Sequence, residues 1–247
     1  HIPLVLMLVG IIARGTAFTF RHYDAVEDQW QIIYTQIFYY ASLLTPFFLG
    51  LIAAATVSQS INPDATNFLD LYVFSWLNWF GVSVGLFTVS LCAYLASIFS
   101  LRETSDRLEL DLMIKKSHQT MLFVVVTGLL VFFAAYLSGI PLAKWIFSKP
   151  LGVMSISFAT FSLGLILRAM QKRKLLPVRA LAGFQIIMIL VAATYQHNPD
   201  IILLGNGQHL SLLKHIAAEK TISALGWALV LGSVFILPFL FYLMFSF

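Results

Sequence analysis

Charge is what this 247-residue chain has least of: Asp, Glu, Lys and Arg make up 11% of it, against 60% hydrophobic residues. Soluble domains run near ~25% and ~45–50% on the same counts. So little polar surface cannot cover a water-soluble core, which excludes the soluble enzymes and soluble binding modules as classes. Cysteine is nearly absent too. Cys92 lies within an apolar run, and one thiol excludes an intrachain disulfide framework and a cysteine-based metal site, leaving it to read as a small buried hydrophobe. Internal repeats and low-complexity tracts are missing, so the inverted-repeat signature of many transporters does not show. The chain opens on His1 without Met and turns apolar at once, with neither a basic start nor a small-residue cleavage site. It is expected to be the remainder of a longer protein.

What is present is apolar bulk. The 22 Phe, 9 Tyr and 5 Trp suit lipid contact and the headgroup belt. A bilayer core takes roughly 20 apolar residues per helix, and seven stretches qualify: Ile2 to Phe20, Gln31 to Val57, Leu71 to Leu101, Gln119 to Leu142, Leu151 to Met170, Leu181 to Tyr195 and Ile222 to Phe247. Their continuous apolarity argues for helices over the alternating strands of a barrel. The fold expected is all-α, a polytopic transmembrane bundle forming one domain over residues 1–247. Thr45-Pro46 predicts a kink in the second span. Pro177 places the start of the sixth near Val178. The link from His197 to Lys220 carries turn signals at Asn198-Pro199-Asp200 and Gly205-Asn206-Gly207, with Leu210 to Ala218 expected as a short interfacial helix.

Lysine and arginine favour alternate links. Arg21, Arg102, Arg107, Lys115, Lys116, Arg168, Lys172, Arg173, Lys174 and Arg179 fall on one side, and only Lys144, Lys149, Lys214 and Lys220 on the other. The positive-inside rule makes the first side cytoplasmic, and with it Phe247. Basic residues spread through short links do not form a compact nucleic-acid face, despite the net charge of +4.

Few residues could carry chemistry. Arg14 sits deep in the first span, where a charge costs about 2.5–3.5 kcal/mol and needs a partner, a wet path, or a snorkelling stem that reaches the headgroups. Arg21 lies seven residues on, near the same helical face, as an interfacial anchor. Asp24, Glu27 and Asp28 cluster at the cytoplasmic mouth, as a solvated turn or a point of proton entry. His22 and His118 flank spans, while His197, His209 and His215 sit in the long outer link; His209 and His215 are six apart and share no helical face, so a metal pair is not indicated. Met121, Met154 and Met188 read as fillers. Asn78, Trp79, Gly81 and Gly85 form a small-residue stripe fit for close helix packing. No catalytic constellation, metal cage or phosphate loop emerges.

The stretch Arg14-Gly15-Thr16-Ala17-Phe18-Thr19-Phe20-Arg21 resembles the Arg-Gly-Val-Ala-Phe-Glu-Phe-Arg signature of subunit II of cytochrome bd-type quinol oxidases, agreeing at six of eight positions. Ala41-Ser42-Leu43-Leu44-Thr45-Pro46 with Gly50, Trp79-Phe80-Gly81-Val82-Ser83-Val84-Gly85 with Ala93-Tyr94-Leu95, and Ala217 to Thr221 through Pro238 to Leu243 are also similar to that family. The resemblance implies nine helices in a complete copy, seven of them here. It implies a membrane oxidase that takes electrons from a ubiquinol or menaquinol and reduces O2 to water in the bacterial inner membrane. Haems b and d would lie in a partner subunit I, with no cofactor in this chain beyond a bound quinone. Arg14 and Arg21 would then support the haem region or a proton path. Thr19 stands where the family has Glu or Asp, and Thr35 near where it has another Asp, so a proton route through this chain would rely on Asp24, Glu27 or Asp28. The alternatives are a secondary transporter and a structural membrane assembly partner. A transporter should show broken helices or paired polar residues at mid-membrane.

Overall fold

The computed structural model describes residues 1–23, 30–101, 107–211, 213–214 and 218–246. Nine α-helices appear among them: α1 (Ile2–Tyr23), α2 (Trp30–Val57), α3 (Phe68–Tyr72), α4 (Trp79–Ser100), α5 (Arg107–Leu137), α6 (Leu142–Phe147), α7 (Pro150–Gln171), α8 (Leu175–Thr194) and α9 (Glu219–Ser246). Seven are long and apolar enough to cross a bilayer; α3 and α6 are single short turns between spans. The chain is a helical, multi-pass membrane protein, as its composition predicts.

Several boundaries differ from the sequence expectation. The third apolar stretch does not run unbroken from Leu71, because the backbone turns after α3 and α4 begins at Trp79. Asn78 is therefore a cap outside the span, its side-chain oxygen accepting the Gly81 N–H at 2.6 Å, and Asn is among the residues best suited to that position. The fourth span, α5, starts at Arg107 and stops at Leu137; at 1.5 Å per residue its 31 residues reach ~46 Å, well beyond a ~30 Å core. Pro177 does not delay α8, which starts at Leu175 with the proline in its first turn, where the missing N–H has no helical acceptor in any case. Cys92, expected to be buried, is exposed on α4 and reads as lipid-facing.

The Leu210–Ala218 interfacial helix is not what the described residues form. Leu210 belongs instead to a two-stranded antiparallel hairpin, β1 (Asp200–Leu203) with β2 (His209–Ser211), in which Ile202 faces Leu210. The reason lies in the turn just before it. Gly207 adopts a φ of +79°, open to glycine, and Leu204 N–H bonds back to Gln208 O at 2.9 Å, so the chain reverses before a helix can start. Ile61 bridges to Leu204, and Gly205 N–H donates to Ile61 O at 2.8 Å, tying the hairpin to the link after α2.

Packing is organised around α4, which touches α2, α5 and α8, while α1 lies along α2 and α7 along α8. One apolar core joins α4, α5, α7 and α8 through Tyr94, Ile98, Val124, Ile166, Met170 and Val178. A second joins α2, α4 and α5 through Ala54, Phe80 and Val131. The predicted small-residue stripe does its work here: a Cβ on Gly85 would meet the Phe47 ring at 2.8 Å, and one on Gly50 would meet Gly85 Cα at 2.7 Å. Between spans α4 and α5, Ser90 pairs with Thr127 at 2.7 Å and Ser97 with Thr120 at 2.8 Å, hydroxyl contacts that join helices where lipid offers no partner. Helix α9 stands apart, its described side chains exposed along the whole length.

Candidate functional site

The first candidate is the outward face of α1. Gly10 lets α1 approach α2 so closely that an added Cβ would lie 2.6 Å from Thr45 Oγ1, and Ala17, two turns on, is buried in the same contact. That fixes the rotation of α1 and turns Arg14 to the surface, where its guanidinium sits 5.4 Å from the centre of the Phe38 ring of α2. Phe18 also meets Phe38, and Phe20 stacks on Tyr34, so an aromatic ladder runs beside the arginine. Arg14 is the thirteenth residue of a 22-residue helix, ~13 Å from its end at Tyr23. Among the described residues no carboxylate comes within ion-pair distance of it. A ring face is a partial counter-charge, about 0.5–2 kcal/mol, less than the cost of a cation at this depth. Gly15 adds to the opening, since no described neighbour outside its own helix backbone lies within 4 Å of where its Cβ would stand. Among the described residues, the face around Arg14 is thus open and incompletely neutralised.

Arg21 is exposed one heptad further along α1. Thr19 and Thr35 both turn their hydroxyls onto their own helices, Thr19 donating to Gly15 O at 3.0 Å and Thr35 to Gln31 O at 2.8 Å. Neither offers a titratable group. Asp24, Glu27 and Asp28 lie outside the described residues. His118 Nδ1 is 2.8 Å from Ile114 O on its own helix.

The second candidate was not legible beforehand. A cavity of about 720 Å³ opens between α2, α4, α5, α7 and α8, lined almost wholly by apolar side chains such as Phe80, Phe87, Val131 and Leu163. Gln185, halfway along α8, contributes to its wall, and Trp145, His197 and Asn198 line the end towards the hairpin. His197 stands edge-on to Trp145 at 4.7 Å. Gln185 is 3% exposed; it accepts from Tyr94 O–H at 2.8 Å and donates to Ala159 O at 3.3 Å, joining α8 to α4 and α7. A lone amide in a span is costly unless partnered, and that was the available signal: a Gln in an apolar run asks for a hydroxyl, and Tyr94 supplies one. Apolar cavities of ~300–1,000 Å³ with a few fixed polar groups hold small organic ligands. Among the described residues no cluster of His, Cys, Asp and Glu is arranged to hold a metal ion.

Comparison with known proteins follows the same lines. The family model described as "Cytochrome bd terminal oxidase subunit II" matches residues 1–247. The chain is similar to "Cytochrome bd ubiquinol oxidase subunit 2" of Bacillus subtilis (strain 168), with 28% identity over 136 residues. That alignment takes in 54% of this chain and 38% of the relative's length.

Proposed function

The chain belongs to the cytochrome bd terminal oxidase subunit II family, and from that premise we propose that it is the haem-free subunit of a quinol:O2 oxidoreductase. In that reaction two quinols give up four electrons and four protons, and one O2 takes up both to leave two waters. The haems b and d that carry the electrons belong to subunit I, with which this chain forms a heterodimer in the bacterial inner membrane. Its C-terminus lies on the cytoplasmic side, by the excess of Lys and Arg at that end.

The observation that carries the proposal is the incompletely neutralised Arg14. A cation ~13 Å inside the helix end, beside the Phe38 ring and with no described carboxylate in ion-pair range, is stable when a second subunit brings an anion to it. Its role is to hold that neighbouring subunit's haem region, or the acidic groups of a proton path, in register; Arg21 repeats the charge at the interface. Asp24, Glu27 and Asp28 are the carboxylates that collect protons from the cytoplasm. The cavity supports a resident quinone in this subunit: Gln185, His197 and Asn198 would offer hydrogen bonds to its carbonyls and the apolar lining would take its tail. When bound, a quinone supplies reversible two-electron, two-proton carrier chemistry.

The test is Arg14→Ala and Arg14→Lys in the full-length protein co-produced with its partner, reading heterodimer yield, haem absorbance, quinol oxidase rate and extracted quinone. The expected result for Arg14→Ala is a loss of roughly fivefold or more in oxidase rate, from stranding the anion that faces it at about 1–3 kcal/mol, with partial recovery in Arg14→Lys. Wild-type haem content and rate in Arg14→Ala would reduce Arg14 to a membrane anchor. Purification without any haem-bearing partner would overturn the subunit assignment itself.

A further inference from the structure

Among the described residues, the end of the bundle opposite the hairpin carries more positive charge than its ion pairs use. Asp111 on α5 and Arg173, in the turn between α7 and α8, form a salt bridge with Arg173 Nη2 2.9 and 3.3 Å from the two carboxylate oxygens. That pair consumes the Arg173 charge. Arg168 on α7, Lys172 at its C-cap, Lys174 in the turn, and Lys115 and Lys116 on α5 all remain exposed, with no described carboxylate in ion-pair range. Glu109 is the other described carboxylate on this part of α5.

These cations are placed at the ends of lipid-facing stripes. Phe161, Gly164 and Arg168 recur every three or four residues and so share one face of α7, and Lys172 caps the end of that helix. Phe161 is 67% exposed, and a Cβ on Gly164 would meet nothing within 4 Å, which leaves a shallow track along the helix. On α5, Lys115, Gln119 and Leu122 share a face in the same way, and Leu122 is 64% exposed. Each stripe is charged at its end and greasy below, an arrangement that fits neither a free anion nor a nucleic acid. We propose that Arg168, Lys172 and Lys174, with Lys115 across the Asp111–Arg173 bridge, bind the phosphate of an anionic phospholipid whose acyl chain lies along the Phe161–Gly164 track. The Asp111–Arg173 bridge holds α5 and the α7–α8 turn together, so that both sets of cations face one headgroup. This needs only that the chain spans a membrane and does not depend on the oxidase assignment.

Native mass spectrometry of the full-length protein, purified with the subunits that accompany it, tests the inference. Retention of phosphatidylglycerol is compared with that of phosphatidylcholine at equal dose, in the wild type and in Arg168→Gln/Lys172→Gln. Attraction of about 1 kcal/mol per basic residue at a membrane surface corresponds to roughly fivefold each, so the double variant should lose phosphatidylglycerol by about 25-fold and leave phosphatidylcholine unchanged. Equal retention of the two lipids by the wild type, or undiminished phosphatidylglycerol in the variant, overturns the proposal. Displacement of the lipid by millimolar inorganic phosphate would instead mark a free-anion site. Should the double variant fail to assemble, the unaltered protein decides: its preference must fall as salt shortens the reach of surface charge, and a preference indifferent to ionic strength refutes it.

Discussion

Replacing Gly50 with Ala would test the helix crossing on which the cavity and its surroundings rest. The added methyl would stand 2.5 Å from Thr88 Oγ1, 2.7 Å from Gly85 Cα and 2.8 Å from Val84 O, whereas carbon contacts are most favourable at about 3.5–4.0 Å. Two of those three atoms are backbone, so no rotamer change relieves the contact and α4 must recede from α2 by on the order of 1 Å. That movement would loosen Leu51, which is fully buried, and Phe47, which lies against Gly85. Overpacking of this kind costs about 1–3 kcal/mol. The matched control is Gly226→Ala on α9, where nothing lies within 4 Å and the change of helix propensity alone favours Ala by up to about 1 kcal/mol. Thermal unfolding in one detergent, followed by the fraction that still elutes as a folded species, reads both. For a chain of this size each kcal/mol is worth about 2–4 °C, so Gly50→Ala should unfold several degrees below wild type and Gly226→Ala at or above it. A Gly50→Ala midpoint equal to that of Gly226→Ala would refute the close crossing.

Two further outcomes follow from the polar contacts. Tyr94→Phe leaves Gln185 Oε1 without the hydroxyl that serves it and should cost about 1–3 kcal/mol, while Tyr94→Phe/Gln185→Leu should cost less than the sum of its single changes; strict additivity in a denaturation cycle would show that the two are not coupled. Asp111→Asn should lower stability by no more than about 1 kcal/mol, because both partners of the Arg173 bridge are about half exposed. Its effect should shrink as salt is raised, and a larger, salt-independent loss would mean the bridge is buried in the assembled protein.

Legibility differed by kind of feature. Seven spans could be counted because lipid imposes one rule on every residue of a run, and a run of ~20 apolar side chains meets it without reference to any neighbour. Short-range signals at the ends were harder. By sequence Asn78 belongs to a packing stripe, yet it caps a helix, because capping depends on where the backbone turns and the apolar residues on both sides of Asn78 hide that turn. Leu210–Ala218 looked helical by its apolar spacing, but glycine at 207 and the link after α2 drew Leu210 into a hairpin. The Gly81 and Gly85 stripe was legible as a place for close approach; that its counterpart would be Gly50 was not.

Within the candidate site the division is the same. The sequence by itself determined that the chain lives in a bilayer, that Arg14 lies deep in its first helix, and that the surrounding motif resembles subunit II of the cytochrome bd oxidases. Each is a property of one segment against a uniform solvent. Only the tertiary structure decided which way Arg14 faces, that Tyr94 and Gln185 satisfy one another between α4 and α8, and that a cavity opens among the spans. Those depend on the rotation of each helix about its own axis, set by residues such as Gly10 and Gly50 where two backbones meet. A single helix pattern carries almost no information about that angle when lipid-facing and buried sides are equally apolar.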